Sequence, residues 1–228
     1  MAWPKHASPG AMNREAKRGV FLVLEGVEGS GKTTQRGLLV EWLERQGLPY
    51  TATREPGGTA IGEAVRRILL ESGHVSERSE LLLFLAARAA VVADVVRPAL
   101  AAGRVVVADR YELSTLAYQG HGRGLDLGEV RSANRLATGG LVADLTVVLD
   151  VPAGVGLSRL ADRPGGPDRI EGEGEPFLDR VAEAYRLLSN QEPGVVRVDG
   201  TRTAAQVHEE IVHLASARFP ETFGKWVG

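Results

Sequence analysis

The residues best able to do chemistry lie in one short run, Gly26-Val27-Glu28-Gly29-Ser30-Gly31-Lys32-Thr33, which fits G-x-x-x-x-G-K-[ST] and follows the apolar stretch Phe21–Leu24. A strand, a glycine turn and a helix in that order make a phosphate cradle. The glycines let backbone N–H groups turn inward, and the helix adds its positive N-terminus. Residues Gly26 to Thr34 are expected to hold a nucleoside triphosphate, with Lys32 on its β- and γ-phosphates and the Thr33 hydroxyl on Mg²⁺. Lys32 is the only lysine between Arg18 and Gly224. Every other basic side chain there is Arg or His, so this position alone keeps a compact ammonium.

A second anionic site is written further along. Thr53-Arg54-Glu55-Pro56-Gly57-Gly58-Thr59 and Asp109-Arg110-Tyr111 each follow an apolar or β-branched run. Arg54 and Arg110 are thereby placed to clamp a phosphomonoester through paired charge-assisted hydrogen bonds. Either arginine alone would read as a surface ion pair; two at one edge point to function. Asp109, after Val105-Val106-Val107-Ala108, suits an acid that holds a metal through water. A GTP switch reading guanine through Asn-Lys-x-Asp has no second lysine in the body to build it from. The five histidines show no ligand spacing.

These side chains need a frame. Five runs read as buried strands, at 20–24, 50–54, 104–109, 145–150 and 195–198, with helical periodicity at about 33–46, 60–71, 78–102, 127–137, 153–161, 176–189 and 203–216. Strand alternating with helix predicts an α/β fold, a parallel sheet with helices on both faces, whose ligands gather beyond the carboxyl ends of the strands. Gln119–Gly124 is glycine-rich and is expected to turn after a short helix. Asp162–Pro176 is dense in Gly, Pro and charge and is expected to be a lid, spanning about 160–176. Residues 1–18 read as a disordered leader, 19–216 as the domain and 217–228 as a tail. At the Glu55–Pro56 bond trans is the base-rate expectation, with a cis bond the open alternative at so tight a turn.

Composition narrows the partners. With 228 residues, 43% hydrophobic and 25% charged, and a net charge of −2, the chain suits one soluble domain and not a nucleic-acid polymer binder. No cysteine is present, which removes disulfides, thiolate metal sites and thiol nucleophiles and fits a cytoplasmic setting. Leu81–Val96, the longest apolar run, is interrupted by Arg88 and Asp94, so no membrane span is expected.

Read together, FLVLEGVEGSGKTTQ, TREPGGT, LLLFLAARAA, DRYELSTLAYQG and DRIEGEGEPF resemble the bacterial thymidylate kinases, in order and spacing, from Val20 to about Ile211. The resemblance implies the P-loop nucleoside monophosphate kinase fold with a lid, and phosphorylation of dTMP to dTDP by ATP and Mg²⁺. It implies that Phe84 stacks on thymine, that Arg88, one helical turn on, bonds its carbonyl edge, and that Thr115 also bonds the base. Ser114 and Tyr118 join them, Tyr118 crowding the sugar 2′ position. Glu28 is implied to touch the acceptor's 3′-hydroxyl or a metal-bound water, and Arg66 to lie near the phosphate.

The dTMP phosphate is already a nucleophile at neutral pH, so phosphoryl transfer asks chiefly for alignment and charge neutralisation. Some members of the family carry a catalytic arginine within the phosphate loop and others in the lid. This loop has none, which points to the lid and to Arg163 first, then Arg169 and Arg159. Helix 80–102 is apolar on more than one face, which predicts a homodimer through it. Another nucleoside monophosphate or deoxynucleoside kinase, or a non-catalytic nucleotide-binding regulator, are the alternatives.

Overall fold

The computed structural model describes residues 18–161 and 168–224. Five parallel strands form one sheet in the order β2-β3-β1-β4-β5, with β1 Phe21–Glu25, β2 Tyr50–Arg54, β3 Val105–Asp109, β4 Leu145–Asp150 and β5 Val195–Asp199. β1 lies at the centre, with Leu24 beside Asp109 of β3 and Glu25 beside Val148 of β4. All five expected strands are present, within a residue of their expected bounds.

Side chains of a strand alternate between faces. Leu22 and Leu24 of β1 pack with α1 (Lys32–Arg45) and α9 (Ala204–Arg218), through Leu39, Leu43, Ile211 and Ala215. Phe21 and Val23 pack on the other face against Val92, Val96 and Leu100. That face also carries α2 (Ala60–Glu71), α3 (Glu77–Val91), α6 (Leu127–Thr138) and α8 (Glu175–Gln191). α3 widens into a π turn at Val92–Val96 before α4 (Arg97–Ala101). Pro98 explains the widening: it has no N–H to donate and its ring crowds the Asp94 carbonyl.

Three expectations are corrected. Gln119–Gly122 is not a turn: α5 (Glu112–Thr115) continues through a π-helical stretch, Leu116–Gly122. The glycines serve packing there, since a Cβ on Gly120 would sit 2.5 Å from Leu127 and one on Gly122 2.9 Å from Phe177. The Glu55–Pro56 bond is cis. Beyond residue 216 the chain still packs: α9 runs to Arg218, and Phe223 of α10 (Pro220–Phe223) lies 5.3 Å from the Trp42 ring. Of the segment expected as a lid, Arg163 and residues 162–167 as a whole lie outside the described residues. α7 (Ala153–Leu160) precedes them, and a short 3₁₀ turn at Glu171–Glu173, with Ile170 and Glu171 buried, leads into α8. No helix among the described residues is long and apolar enough to cross a membrane.

Candidate active site

The carboxyl ends of β1, β2 and β3 open onto one cleft of about 610 Å³, within the range of small-molecule sites. Its floor is the loop after β1. Gly31, at φ 99°, turns the chain into α1 in a conformation that L side chains rarely adopt. Gly29 is required for another reason. A Cβ there would lie 2.1 Å from the Gly156 carbonyl oxygen of α7, and one on Gly156 would lie 2.3 Å from the Glu28 oxygen. Gly29, Ser30, Gly31, Lys32, Thr33 and Thr34 line the cleft, while Gly26 and Val27 lie beneath it. Lys32 folds back over them, Nζ donating to Gly26 O at 2.9 Å, Val27 O at 2.7 Å and Ser30 Oγ at 3.3 Å. Burial, reinforced by the Arg110 charge, lowers its pKa to about 8.

Thr33 and Asp109, the expected metal residues, meet: the Thr33 hydroxyl donates to Asp109 Oδ2 at 3.0 Å. These are hard oxygen donors at the phosphate end of the cleft, which suits Mg²⁺.

Arg110 is the only described non-glycine residue with positive φ, at 75°. Such a conformation costs about 1–3 kcal/mol and persists where surroundings over-determine it. Here one guanidinium nitrogen shares its two N–H groups among Gly26 O at 3.0 Å, Ser114 Oγ at 3.2 Å and Tyr185 OH at 3.2 Å. The other donates to Glu28 Oε1 at 2.9 Å and Tyr118 OH at 3.2 Å. Burial works against its charge, but Tyr118, Glu28, Tyr185 and Glu25 outweigh it and hold Arg110 protonated well beyond the ordinary range. Tyr118 closes a triangle by donating to Glu28 Oε2 at 2.5 Å. Loop, β3 turn and π stretch are thus joined at the cleft wall by Glu28, Arg110 and Tyr118.

Arg54 also reaches the cleft, with its guanidinium 2.9 Å from Glu63 of α2 and its side chain 44% exposed. Arg66 lines the same wall and donates to Pro56 O at 3.1 Å. Burial and the neighbouring Arg54 charge lower its pKa. Phe84 and Thr115 line the acceptor end. Arg88 backs this wall through its bond to Thr115. It is 1% exposed, does not line the cleft, and donates to Glu55 at 2.7 Å, Thr115 at 2.6 Å, Asn134 at 2.5 Å and Tyr111 O at 2.8 Å. Four donations leave one of its five N–H groups for a base. Burial pushes the Glu55 carboxyl up to about 7 against the pull of Arg88.

The remaining arginines divide clearly. Arg159 lies at the loop, donating to Gly29 O at 3.3 Å and Gly200 O at 3.1 Å. Arg169 turns away from the cleft and is bound to Leu69 O and, at 2.7 Å, to the buried Glu80. Sequence reasoning missed that anchor, and it missed Gln119, Asp168, Ile170 and Arg202 on the cleft wall. Gln119 is buried, its Nε2 donating to Glu80 Oε1 at 2.8 Å. The glycines around it carried the sequence signal and masked it. Burial raises Asp168, which caps Ile170 and Glu171 through its Oδ1. Its place directly before Arg169 in DRIE was the available signal.

Comparison with known proteins agrees with this geometry. The thymidylate kinase family profile matches residues 24–211. A thymidylate kinase of Synechococcus sp. (strain JA-2-3B'a(2-13)) is 48% identical over 202 residues, covering 88% of this chain and 96% of that protein. One of Desulforudis audaxviator is 50% identical over 179 residues, covering 77% and 80%. One of Trichormus variabilis is 44% identical over 207 residues, covering 89% and 98%.

Proposed function

The chain belongs to the thymidylate kinase family and so phosphorylates dTMP to dTDP, and we propose that Mg²⁺·ATP is the donor and that the cleft residues divide the work as follows. The observation that carries the reading is a convergence on one atom. Lys32 of the phosphate loop and Arg110 of the β3 turn both donate to the Gly26 carbonyl oxygen, at 2.9 and 3.0 Å. A reaction between two phosphates needs cations from two directions at one point.

Gly29–Thr34 hold the donor phosphates, and Lys32 exchanges its loop carbonyls for the β–γ oxygens. Arg110, with Arg54 and Arg66 behind it, holds the acceptor phosphate in line. Phe84, Thr115 and the last N–H of Arg88 meet the base. Tyr118 stands against the sugar, and Glu28 faces its 3′-hydroxyl. Ser114 contributes by holding Arg110. Thr33 and Asp109 would hold Mg²⁺, which when bound would neutralise charge on the phosphates. The described residues contain no cluster of three or more His, Cys, Asp or Glu arranged for a metal. Arg163 remains the first choice for the arginine on the transferring group and Arg159 the second. Arg169 ranks third, because it is bonded to Glu80.

Assembly is a homodimer through α3, with a cytoplasmic setting. α6 and α2 cover part of α3, but Leu82 and Ala86 on it, Ala93 in the π turn after it, and Ile61 and Ile68 on α2, stay exposed, Leu82 at 63%. A solution mass that is monomeric at micromolar concentration removes the dimer.

Activity with dTMP, dUMP, UMP and dGMP compared side by side with ATP tests the acceptor. The expected order places dTMP first, and a preference for UMP would defeat it.

A further inference from the structure

Glu25 closes β1, is fully buried, and does not line the cleft. Its carboxylate nonetheless accepts four hydrogen bonds. Oε1 accepts from the backbone N–H groups of Tyr111 at 2.8 Å and Ser114 at 3.1 Å. Oε2 accepts from Ser114 Oγ at 2.5 Å and Tyr185 OH at 2.8 Å. Tyr111 offers α5 no side-chain cap; Glu25 supplies the missing acceptor from a neighbouring strand.

The two hydroxyls give this arrangement a direction. The two hydroxyls lie 2.9 Å apart, and both lie within reach of Glu25 Oε2 on one side and of one Arg110 nitrogen on the other, whose two N–H groups they share with Gly26 O. Each hydroxyl has a single proton, and the carboxylate oxygen is the strongest acceptor it meets, so donation to Glu25 turns a lone pair of each toward Arg110. The chain of donors then runs from Arg110 through Ser114 and Tyr185 to the buried Glu25 carboxylate. We propose that Glu25 is the positioning residue of the acceptor-phosphate clamp, fixing the left-handed turn of Arg110 from its backbone side and the polarity of its hydroxyl partners from the other. This rests on the assignment of Arg110 to the acceptor phosphate.

A glutamine at this position cannot substitute. Two backbone N–H groups require an oxygen, so the amide NH₂ must face the hydroxyls. They then accept from it, and their protons swing toward the Arg110 guanidinium. The isosteric change thus reverses the polarity while keeping the shape.

Glu25→Gln is expected to lower kcat/KM for dTMP about 10- to 100-fold while KM for ATP stays within about twofold, because misplacement of an aligning group acts on the step it aligns. In an Arg110→Ala background the same change should cost less than about threefold, the mark of residues acting as one unit. Tyr185→Phe, which cuts one link of the chain and keeps the carboxylate, should show the same non-additivity on a smaller scale. It decides the matter if Glu25→Gln fails to fold. Equal losses in both backgrounds, or a loss of thermal stability with kcat and both KM values unchanged, overturn the proposal. If Arg110→Ala alone leaves the dTMP kinetics intact, the assignment of the clamp fails instead.

Discussion

β2 and β3 lie side by side, Arg54 opposite Asp109 in their register, and each strand delivers an arginine to the same cleft. The two are held differently. Arg110 sits in a left-handed turn, its guanidinium bonded to three elements and its side chain 15% exposed. Arg54 continues its strand, is largely exposed, and meets Glu63 of the next helix at its guanidinium. The first is oriented by folding, before any substrate arrives. The second must leave a carboxylate when an anion enters. Interactions already aligned favour the transition state, whereas recruited ones favour binding in general.

Substitution of Arg110 by Ala gives the largest expected effect, a fall in kcat/KM for dTMP of about 10³-fold with kcat carrying most of it, as for truncation within a buried charge network. Steady-state kinetics measures this; a change confined to KM would put Arg110 in the same class as Arg54. A third arginine sharpens the contrast, because Arg88 is held by four buried acceptors and stands behind the cleft wall. Arg88→Met should lower unfolding free energy by about 3–5 kcal/mol, since it leaves the buried Glu55 carboxyl, Asn134 and the Tyr111 carbonyl without their donor. Denaturant unfolding would register it.

On the rigid side, pH is a further probe. Lys32 is charged below its lowered pKa of about 8 and neutral above it, so kcat/KM for ATP should fall as pH rises through about 8. Bound phosphate restores the charge, and kcat itself should stay flat further into the alkaline range. A flat kcat/KM profile up to pH 10 would contradict the burial argument. Arg54→Ala should raise KM for dTMP about tenfold with little change in kcat, the scale of one charge-assisted hydrogen bond. Glu63→Gln should move that KM less than about threefold, downward, since an exposed ion pair is weak. If it moved the KM upward, Glu63 would be positioning Arg54 and the two arginines would be alike.

Local signals in the sequence were enough for the scaffold. β-branched runs placed the strands, and the spacing of Gly26, Gly31, Lys32 and Thr33 placed the phosphate loop, because both depend on residues within a few positions of each other. What escaped depends on distant partners. Arg169 reads as a flexible cation until Glu80, 89 residues away in sequence, is seen to bind it. Arg88 within the apolar run Leu81–Val96 signals a need for buried partners, but Glu55, Asn134 and Tyr111 as those partners lie far apart in the chain. Gly120 and Gly122 misled for the same reason, since glycine at a turn and glycine under a close neighbour look alike in a string of letters.

The contact between Gly29 and Gly156 has a consequence for how this protein can change. Gly29 refuses a side chain because the Gly156 carbonyl is there, and Gly156 because the Glu28 carbonyl just before Gly29 is there, 2.1 and 2.3 Å from where a Cβ would stand. Enlarging one cannot be compensated by altering the other, because neither has anything left to remove. In a randomised library the two sites should come back as a matched pair of fixed letters, 127 positions apart. Arg159, one turn past Gly156 on the same helix, inherits a constant offset from the phosphate loop through every such variant.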